Sequence, residues 1–350
     1  MDANKLIQNH LLKRSPLSYT LYPASVIYGC WQNQRRTYYQ KKAYQAPCKI
    51  ISIGNIVSGG SGKTPLTILL AKLLLEAGKK VAVSHRGYKG ALENNPHLIA
   101  NDSGLLFDVQ QTGDEAFLIA SSLPEVPVVV GRKRKEAIQL LLQEYPDLEI
   151  IILDDALQHY YVYRDLDIVS FDASLGLGNG FVIPAGYLRE PLANIPPQSI
   201  AVINHKNEQQ TPLPWLERII RKGLPVFHCF GSPSCFQNSD NDTIPLTFLN
   251  NKKIVLSSAI ANPASFERSV HTLGLSFMKH YAFPDHYAFQ DLCLPNRLLE
   301  LNPDYILCTQ KDIMKLAKFE PLRNRLLALK LEYHFDQEDK FLSRILSYVK

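Results

Sequence analysis

A glycine-rich turn followed by Lys63 and Thr64 has the residue types and spacing best suited to chemistry. Residues 51–65 read Ile-Ser-Ile-Gly-Asn-Ile-Val-Ser-Gly-Gly-Ser-Gly-Lys-Thr-Pro. Glycines let backbone N–H groups face phosphate oxygens, and a following helix adds the dipole of its N-terminus. A lysine here reaches the β- and γ-phosphates of ATP, and a threonine hydroxyl ligates Mg²⁺. The pattern predicts an ATP site formed by Ser58, Gly59, Gly60, Ser61, Gly62, Lys63 and Thr64.

The match to the phosphate-loop pattern G-x-x-x-x-G-K-[ST] is incomplete. Val57 occupies the position of the first glycine, and Gly59-Gly60 resembles the variant G-G-x-G-K-T instead. That variant also occurs in P-loop ATPases of the partitioning and metallochaperone type. Those ATPases usually have a lysine before the two glycines, whereas this chain has Ser58.

Two adjacent carboxylates follow an apolar stretch, Ile-Ile-Ile-Leu-Asp-Asp, at residues 150–155. Carboxylates at the end of a strand downstream of a phosphate loop hold Mg²⁺, directly or through water. The sequence therefore predicts a metal site formed by Thr64, Asp154 and Asp155, and leaves open which aspartate contacts the ion.

Three smaller clusters contain ionisable groups. Asp114 follows Gly113 ahead of a predicted helix, Arg189 lies in a Gly- and Pro-rich loop, and Asp285 precedes His286 in a turn. An arginine in such a loop can meet phosphate charge, and a carboxylate or an imidazole can accept a proton. Each cluster also has a structural interpretation: a helix cap, a surface ion pair and a structural histidine.

Short apolar strands alternate with helical patterns along the chain. Strands are predicted at 49–53, 80–83, 126–130, 149–153, 166–171 and 199–203, and helices at 64–77 and 132–145. Continuous apolar strands that alternate with helices indicate a parallel sheet covered on both faces. The fold class predicted is α/β: a P-loop NTPase-type parallel sheet flanked by helices, with a second, smaller α/β domain.

The length of 350 residues is sufficient for two domains. We expect a basic N-terminal segment at 1–45, a P-loop core domain at 46–230, a linker or exposed loop at 231–250 and a smaller C-terminal α/β domain at 251–350. The linker prediction depends on the polar, turn-rich stretch at 231–243. The six cysteines form no C-x-x-C pair, which favours reduced thiols over a zinc site or disulfides.

The positive charge is concentrated at the N-terminus. Residues 1–45 have seven basic residues and one acidic residue, a charge of +6, so the rest of the +5 chain sums to −1. A near-neutral body argues against nucleic acid as a partner. The apolar and aromatic stretch Leu17–Trp31 is too short to span a bilayer. It suits a segment lying on an anionic membrane surface, and the alternative is a helix packed on the protein's own core.

The motifs taken together resemble those of the tetraacyldisaccharide 4′-kinases, the lipid A 4′-kinase family. Seven occur in order: the phosphate loop, Arg86-Gly87-Tyr88, Gly113-Asp114-Glu115, Asp154-Asp155-Ala156-Leu157-Gln158-His159, Ile183–Pro191, Phe283-Pro284-Asp285-His286 and Thr309-Gln310-Lys311-Asp312. The sequence departs from the usual family pattern at a few positions, namely Ala156 for glycine, His85 for serine, Gln310 for an acidic residue and Ile260-Ala261-Asn262-Pro263 for Ile-Gly-Asn-Pro.

The resemblance implies ATP- and Mg²⁺-dependent phosphorylation of the 4′-hydroxyl of a tetraacyl glucosamine disaccharide 1-phosphate, which gives lipid IVA. It implies an active site between two α/β/α domains, in which Asp114 and His286 act as a catalytic pair. Asp285 would orient His286, and Arg189 and Lys63 would face the transferred phosphoryl group. It also implies a peripheral enzyme on the cytoplasmic face of the inner membrane of a Gram-negative bacterium. No obligate protein partner is inferred.

Two other functions remain open at this point. One is a P-loop ATPase of the partitioning or metallochaperone type, and the other is a membrane-bound NTP-binding regulator without kinase activity. The lipid substrate that the resemblance implies favours the membrane-surface interpretation of residues 1–45.

Overall fold

The computed structural model describes residues 10–58, 60–205 and 213–349. Gly59 and residues 1–9 of the basic segment therefore lie outside the described residues. The chain divides into two compact units. Described residues up to 205, with 213–230 and 334–349, form the first unit, and residues 231–333 form the second.

Fourteen strands occur in the described chain: β1 (Lys49–Gly54), β2 (Val81–His85), β3 (His97–Asn101), β4 (Gly104–Leu105), β5 (Val128–Val130), β6 (Ile150–Leu153), β7 (Leu166–Asp172), β8 (Ile200–His205), β9 (Val226–Gln237), β10 (Thr243–Ile244), β11 (Ile254–Ser258), β12 (Lys279–Ala282), β13 (Tyr305–Thr309) and β14 (Leu326–Phe335). In the first unit their order is β9-β8-β7-β1-β6-β2-β5-β3-β4. All neighbours pair in parallel except around β3, which is antiparallel to β5 and β4.

Residues 10–12 are helical. The α-helices that lie wholly within the described chain are α1 (Pro16–Gln40), α2 (Lys63–Glu76), α3 (Val109–Thr112), α4 (Asp114–Ser122), α5 (Arg134–Glu144), α6 (Leu216–Ile220), α7 (Pro263–Thr272), α8 (Leu294–Leu299), α9 (Gln310–Leu316), α10 (Glu320–Arg323) and α11 (Glu338–Tyr348). Alternation of these helices with parallel strands confirms the predicted fold class.

The core of the first unit lies around β1 and its neighbours. Strand β1 pairs with β6 on one side and β7 on the other, and Ile51 lies opposite Ile152 and Leu166. These residues are fully buried, as expected for central parallel strands with both faces covered. The carboxyl ends of β1, β6, β7 and β8 therefore lie at the same edge of the sheet, where the predicted phosphate loop begins.

In the second unit four neighbouring strands of the sheet pair in parallel, in the order β12-β11-β13-β14. Alternate residues of its strands contribute to two separate cores. Val255 and Ile306 belong to one core, and Leu256 and Leu307 belong to the other. Both faces of this sheet are therefore covered, as in the first unit.

Helix α1 begins with a capping box in which Ser15 and Ser18 satisfy each other's backbone N–H groups. Its buried face consists of small and polar residues, Ser18, Ser25, Gly29 and Gln32. The outward face carries the large apolar side chains; Ile27 is 72% exposed and Trp31 is 53% exposed. This pattern is the reverse of an ordinary surface helix, which buries its apolar face.

Two boundaries differ from those expected from the sequence. The stretch 231–250, expected to be a linker or exposed loop, contains the rest of β9, strand β10 and a 3-10 turn, because Phe236 and Leu249 are fully buried. The longest continuous run of exposed residues there is 240–243. Residues 334–349, expected in the C-terminal domain, belong to the first unit. In that unit α11 stacks Phe341 on Phe335, 3.9 Å between ring centroids.

Candidate active site

The phosphate loop connects β1 to α2 and is held by the ends of two neighbouring strands. Asn204 on β8 donates from Nδ2 to the carbonyl oxygen of Ser61 at 2.8 Å, and the Ser170 hydroxyl on β7 donates to the same oxygen at 2.5 Å. Gly62 begins the helix with φ of 76°, and a Cβ there would lie 3.1 Å from Asn204 Cγ. Both its backbone conformation and this close approach therefore require glycine.

A second loop lies against the phosphate loop and carries Arg189. The backbone N–H of Ser58 donates to the carbonyl of Tyr187 at 2.9 Å, and the N–H of Arg189 donates to the carbonyl of Ile56 at 2.7 Å. Val57, which replaces the first glycine of the common pattern, is buried and forms a bridge with Leu188 in this contact. The departure at residue 57 thus has a structural reason.

Asp154 lies at the end of β6 and is fully enclosed. Its Oδ2 accepts from the Thr64 hydroxyl at 3.3 Å, and its Oδ1 accepts from the Thr67 hydroxyl at 3.0 Å. The N–H of Asp155 also donates to Oδ1 at 3.0 Å. Burial raises the pKa of Asp154, and the positive charge of Lys63 opposes that shift. The structure therefore brings the Thr64 hydroxyl and the Asp154 carboxylate together, and their binding of a metal ion stays a prediction.

Asp155 faces the two basic residues expected to meet phosphate. Its Oδ1 lies 3.5 Å from Lys63 Nζ and 3.6 Å from an Arg189 guanidinium nitrogen. Burial by itself would raise the pKa of Asp155, but these two cations hold it below its ordinary value. Oδ1 has no hydrogen-bond partner within the described chain. A cluster of two cations around one carboxylate therefore lies beside the phosphate loop, formed by Lys63, Arg189 and Asp155.

Arg134 is a site residue that sequence reasoning missed. Its guanidinium is fully buried, and it donates to the carbonyl oxygen of Asp154 at 2.7 Å and to the Ser84 hydroxyl at 3.4 Å. Burial lowers the pKa of Arg134 to about 10, so the group keeps its charge at neutral pH. The signal was available, because Arg134 shares the buried face of α5 with Ala137, Ile138 and Leu141.

Asp114 is the first residue of α4, after Gly113 with φ of 85°. The turn before it packs on the loop after β2, since a Cβ on Gly113 would lie 2.7 Å from the Tyr88 carbonyl oxygen and one on Gly90 would lie 2.5 Å from Thr112. The motifs Arg86-Gly87-Tyr88 and Gly113-Asp114-Glu115 therefore form one backbone-to-backbone contact.

His85 lies at the end of β2, beside this contact. Its Nδ1 accepts from the Gly87 N–H at 2.9 Å. Its Nε2 lies 3.7 Å from Glu115 Oε2 and 3.8 Å from Asp154 Oδ2, and the ring is 4% exposed. Burial lowers the pKa of His85 despite the two carboxylates, so the ring is neutral. Because Nδ1 is an acceptor, the proton of the neutral ring is on Nε2.

Glu190 joins two of the sequence motifs. It is 2% exposed, and its two carboxylate oxygens accept from Gln158 at 2.8 Å and from the Tyr160 hydroxyl at 3.0 Å. Gln158 also donates to the carbonyl of Asn55 at 2.9 Å. His159 is neutral, because burial and the nearby Arg134 lower its pKa to about 3. Glu190 therefore connects the motif at 154–159 to the loop that carries Arg189.

His286 and Asp285 belong to the second unit, so their positions relative to Asp114 are not part of the first unit's geometry. His286 has φ of 60°, and its Nε2 lies 3.9 Å from Asp285 Oδ2, longer than a hydrogen bond. Buried Asp312 accepts from Thr309 at 2.6 Å and from the Ala259 N–H at 3.0 Å. The motif at 309–312 thereby supports residue 259, whose carbonyl accepts from the His286 N–H at 3.3 Å.

The residues described contain no cluster of three or more His, Cys, Asp or Glu side chains that would hold a metal ion alone. The donor set present is a hydroxyl and two carboxylates from Thr64, Asp154 and Asp155. Such oxygen donors suit Mg²⁺, which is usually bound by one or two carboxylates together with substrate phosphates. The residues therefore fit the predicted ion.

Known proteins resemble this chain over most of its length. The family model described as tetraacyldisaccharide-1-P 4′-kinase matches residues 17–350. A tetraacyldisaccharide 4′-kinase from Desulfatibacillum aliphaticivorans is 32% identical over 91% of this chain and 89% of its own length. One from Dichelobacter nodosus is 35% identical over 96% of this chain and 95% of its own.

A solved structure shares the fold. The crystal structure of LpxK from Aquifex aeolicus in complex with ATP matches with a TM-score of 0.77 and 30% identity, covering 95% of this chain and 100% of that one. This likeness extends over both units of the chain.

Proposed function

The chain belongs to the tetraacyldisaccharide-1-P 4′-kinase family, and we propose from this premise how its residues carry out the reaction. The enzyme transfers the γ-phosphoryl group of ATP to the 4′-hydroxyl of a tetraacyl glucosamine disaccharide 1-phosphate, and lipid IVA is the product. The observation that carries the proposal is the convergence of Lys63, Arg189 and Asp155 beside a phosphate loop.

Lys63 and Arg189 are the groups that bind the transferred phosphoryl group. Each lies within 3.6 Å of Asp155 Oδ1, so each ammonium or guanidinium is held at the phosphate loop before nucleotide binds. A phosphate oxygen replaces the carboxylate as their partner at little cost in reorganisation. Preorganised cations of this kind stabilise the charge that develops in phosphoryl transfer.

Thr64, Asp154 and Asp155 hold Mg²⁺ in this proposal. The Thr64 hydroxyl donates a hydrogen bond to Asp154, so the lone pairs of the Thr64 oxygen remain available to the ion. Asp155 Oδ1 lacks a hydrogen-bond partner within the described residues, which favours Asp155 over Asp154 as the carboxylate ligand. Mg²⁺ supplies charge neutralisation at the β- and γ-phosphates when it is bound.

Asp114 and His286 form the acid–base pair. The attacking hydroxyl must lose a proton, and a positioned carboxylate or imidazole can accept it. Asp114 is the first residue of α4 beside the loop 86–90, and His286 is fixed through its backbone by Ala259. Asp285 orients the imidazole after a small movement, since the two groups lie 3.9 Å apart.

The outward face of α1 binds an anionic membrane surface. Its exposed large residues include Leu17, Tyr19, Tyr22, Val26, Ile27 and Trp31. Arg35 lies 5.8 Å from the Trp31 ring centroid, so cationic and aromatic groups adjoin on this face. Aromatic and basic residues of this kind prefer the headgroup region. No α-helix of the described chain is long and apolar enough to cross a membrane.

A lipid acceptor is consistent with this surface. The acyl chains of a tetraacyl disaccharide remain in the bilayer, so an enzyme that lies on the membrane reaches the sugar hydroxyl without extracting the lipid. ATP is cytosolic, which places the enzyme on the cytoplasmic face of the inner membrane as a peripheral protein.

Transfer of labelled phosphate from ATP to the lipid A precursor tests the proposal. The expected result is a labelled lipid with the purified wild-type protein and none with Lys63→Ala. ATP hydrolysis at a rate that does not depend on the lipid, without phosphate transfer to it, would instead support an ATPase of the partitioning type. Nucleotide binding with neither hydrolysis nor transfer would support a regulator, and either result overturns the kinase.

A further inference from the structure

Three elements of the first unit meet at His85, a residue to which the proposed reaction assigns no role. Its Nδ1 receives the Gly87 N–H, and its Nε2 faces Glu115 on α4 and Asp154 after β6. The ring is enclosed, with only 4% of its side chain exposed.

We propose that His85 is a positioning residue, whose Nε2–H holds the start of α4, and with it Asp114, at a fixed distance from Asp154. The proposal rests on the function proposed above, because Asp114 matters only if a hydroxyl proton must be removed. At 3.7 and 3.8 Å the two contacts are longer than hydrogen bonds. A shift of less than 1 Å by α4 brings Glu115 within bonding distance of the imidazole.

The geometry argues against a role for His85 in loop support alone. The loop after β2 is already packed on the turn before α4, through the close approaches at Gly90 and Gly113. Asp154 likewise has three other hydrogen-bond donors: Thr64, Thr67 and the Asp155 N–H. Beyond these contacts, His85 adds an Nε2–H that faces both Glu115 and Asp154.

Two substitutions of His85 distinguish the contribution of Nε2 from that of Nδ1. In His85→Gln the amide nitrogen replaces Nε2 and the contact with the carboxylates is kept. In His85→Asn the oxygen of the shorter amide takes the place of Nδ1, so the Gly87 N–H keeps its acceptor. The Nε2–H donor that faces Glu115 and Asp154 is lost. Loss of such a supporting donor typically costs about 10- to 100-fold in activity.

The test compares kcat for lipid phosphorylation, KM for ATP and melting temperature in both variants and wild type. We expect His85→Asn to lose at least about tenfold in kcat with KM for ATP nearly unchanged, and His85→Gln to recover most of that loss. Equal activity of the two variants, or better activity of His85→Asn, overturns the proposal. An inactive wild type instead refutes the proposed function itself.

Hydrogen exchange gives a readout that does not depend on turnover. Amides of residues 114–118 should exchange faster in His85→Asn than in His85→Gln, both measured without nucleotide. If either variant fails to fold, the single variant Glu115→Ala is measured in its place. It should exchange faster than wild type at the amides of residues 114–118. Unchanged exchange at α4 contradicts the positioning role.

Discussion

The Lys63 ammonium lies 3.5 Å from the Asp155 carboxylate, and Arg189 approaches the same oxygen at 3.6 Å. The phosphate-binding cations are thus restrained by a carboxylate that incoming phosphate displaces. This arrangement keeps both long side chains ordered in the absence of ATP, so less side-chain entropy is lost when nucleotide binds.

Removal of the Lys63 charge should nearly abolish turnover. Lys63→Ala deletes a cation that faces charge developing in the transition state, and we expect kcat to fall by at least about 100-fold. The matched control is Lys72→Ala, since Lys72 is an exposed lysine on the same helix. Steady-state assays with the lipid acceptor and a thermal melt distinguish catalytic loss from unfolding. Near wild-type turnover in Lys63→Ala would exclude the ATP site assigned here.

Two threonines of α2 donate to Asp154, and they allow a matched test of the metal site. Thr64→Val removes a proposed ligand of Mg²⁺, so the Mg²⁺ concentration for half-maximal activity should rise about tenfold or more. Thr67→Val removes only a hydrogen bond to Asp154 and should chiefly reduce the free energy of unfolding, by about 1 kcal/mol. Mg²⁺ titrations of both variants at saturating ATP check this. An equal shift in the two titrations would argue against Thr64 as a ligand.

The buried His159 should make stability depend on acid pH. Its pKa is about 3 in the folded protein and 6.5 in the unfolded chain, because burial and Arg134 disfavour the charged ring. Between these values only the unfolded chain binds the proton, so its contribution to stability is complete above pH 6.5 and falls as the pH is lowered toward 3. The slope is roughly 1.4 kcal/mol per pH unit.

Urea unfolding of wild type and His159→Asn at pH 7, 6 and 5 measures this contribution. Asparagine keeps a group near Nδ1 for the Tyr161 hydroxyl, which lies 2.7 Å from that atom. The variant should lose less stability on acidification than wild type. Identical slopes in the two proteins would show that His159 does not titrate as its burial implies.

The face of α1 should be tested by point substitutions rather than by deletion of residues 1–45. Ser25 accepts from the Ala185 N–H at 2.9 Å and donates to the Val182 carbonyl at 2.8 Å, so deletion also disturbs the loop that adjoins the phosphate loop. Ile27→Ser and Trp31→Ser leave those contacts intact. Each should weaken binding to phosphatidylglycerol vesicles by about tenfold, since an apolar side chain contributes about 1.5–3 kcal/mol when buried.

Leu292→Ser is the matched control, because Leu292 is 85% exposed and lies in the other unit. Sedimentation with vesicles should show no change for this variant. Raised salt should also weaken attachment of the wild type, since basic side chains face anionic headgroups. A wild-type protein that stays in the supernatant at low salt contradicts the membrane proposal.

Local patterns in the sequence were sufficient for the fold and for part of the site. Strand β6 is a continuous apolar run and the loop before α2 is glycine-rich, so sheet, helices and phosphate loop could be predicted. The contacts of Asn204 and Ser170 with Ser61 could not, because they join residues more than 100 positions apart. Strand β9 was missed since its small and polar residues 231–234 resemble a turn, although they continue a buried strand.

Helix α1 shows the opposite difficulty. Its apolar residues were visible in the sequence, but periodicity does not say which face is buried, and here the small residues Ser25 and Gly29 make the contact. Arg134 was hidden among Arg132, Lys133 and Lys135, and only its position on the buried face of α5 separates it from them. The spacing of Arg134 with Ala137, Ile138 and Leu141 was therefore the one local signal that marked it as buried.

Asp114 and His286 should behave as one catalytic unit. A positioned base contributes about 10²- to 10⁴-fold to proton transfer, so Asp114→Ala and His286→Ala should each lower kcat strongly. ATP affinity should remain nearly intact, because neither residue belongs to the phosphate loop. Asp285→Asn should have a smaller effect, since it only orients the imidazole.

The double variant separates a pair from two independent residues. Groups that act as a unit are non-additive, so Asp114→Ala with His286→Ala should be little worse than the poorer single variant. Single-turnover assays at saturating ATP give the rates, and nucleotide titration verifies that binding persists. If the two losses multiply, the residues work independently and the pair is wrong. A nearly silent His286→Ala would mean that Asp114 has another partner, and the supporting role of Ala259 and Asp312 in the second unit would then serve structure rather than proton transfer.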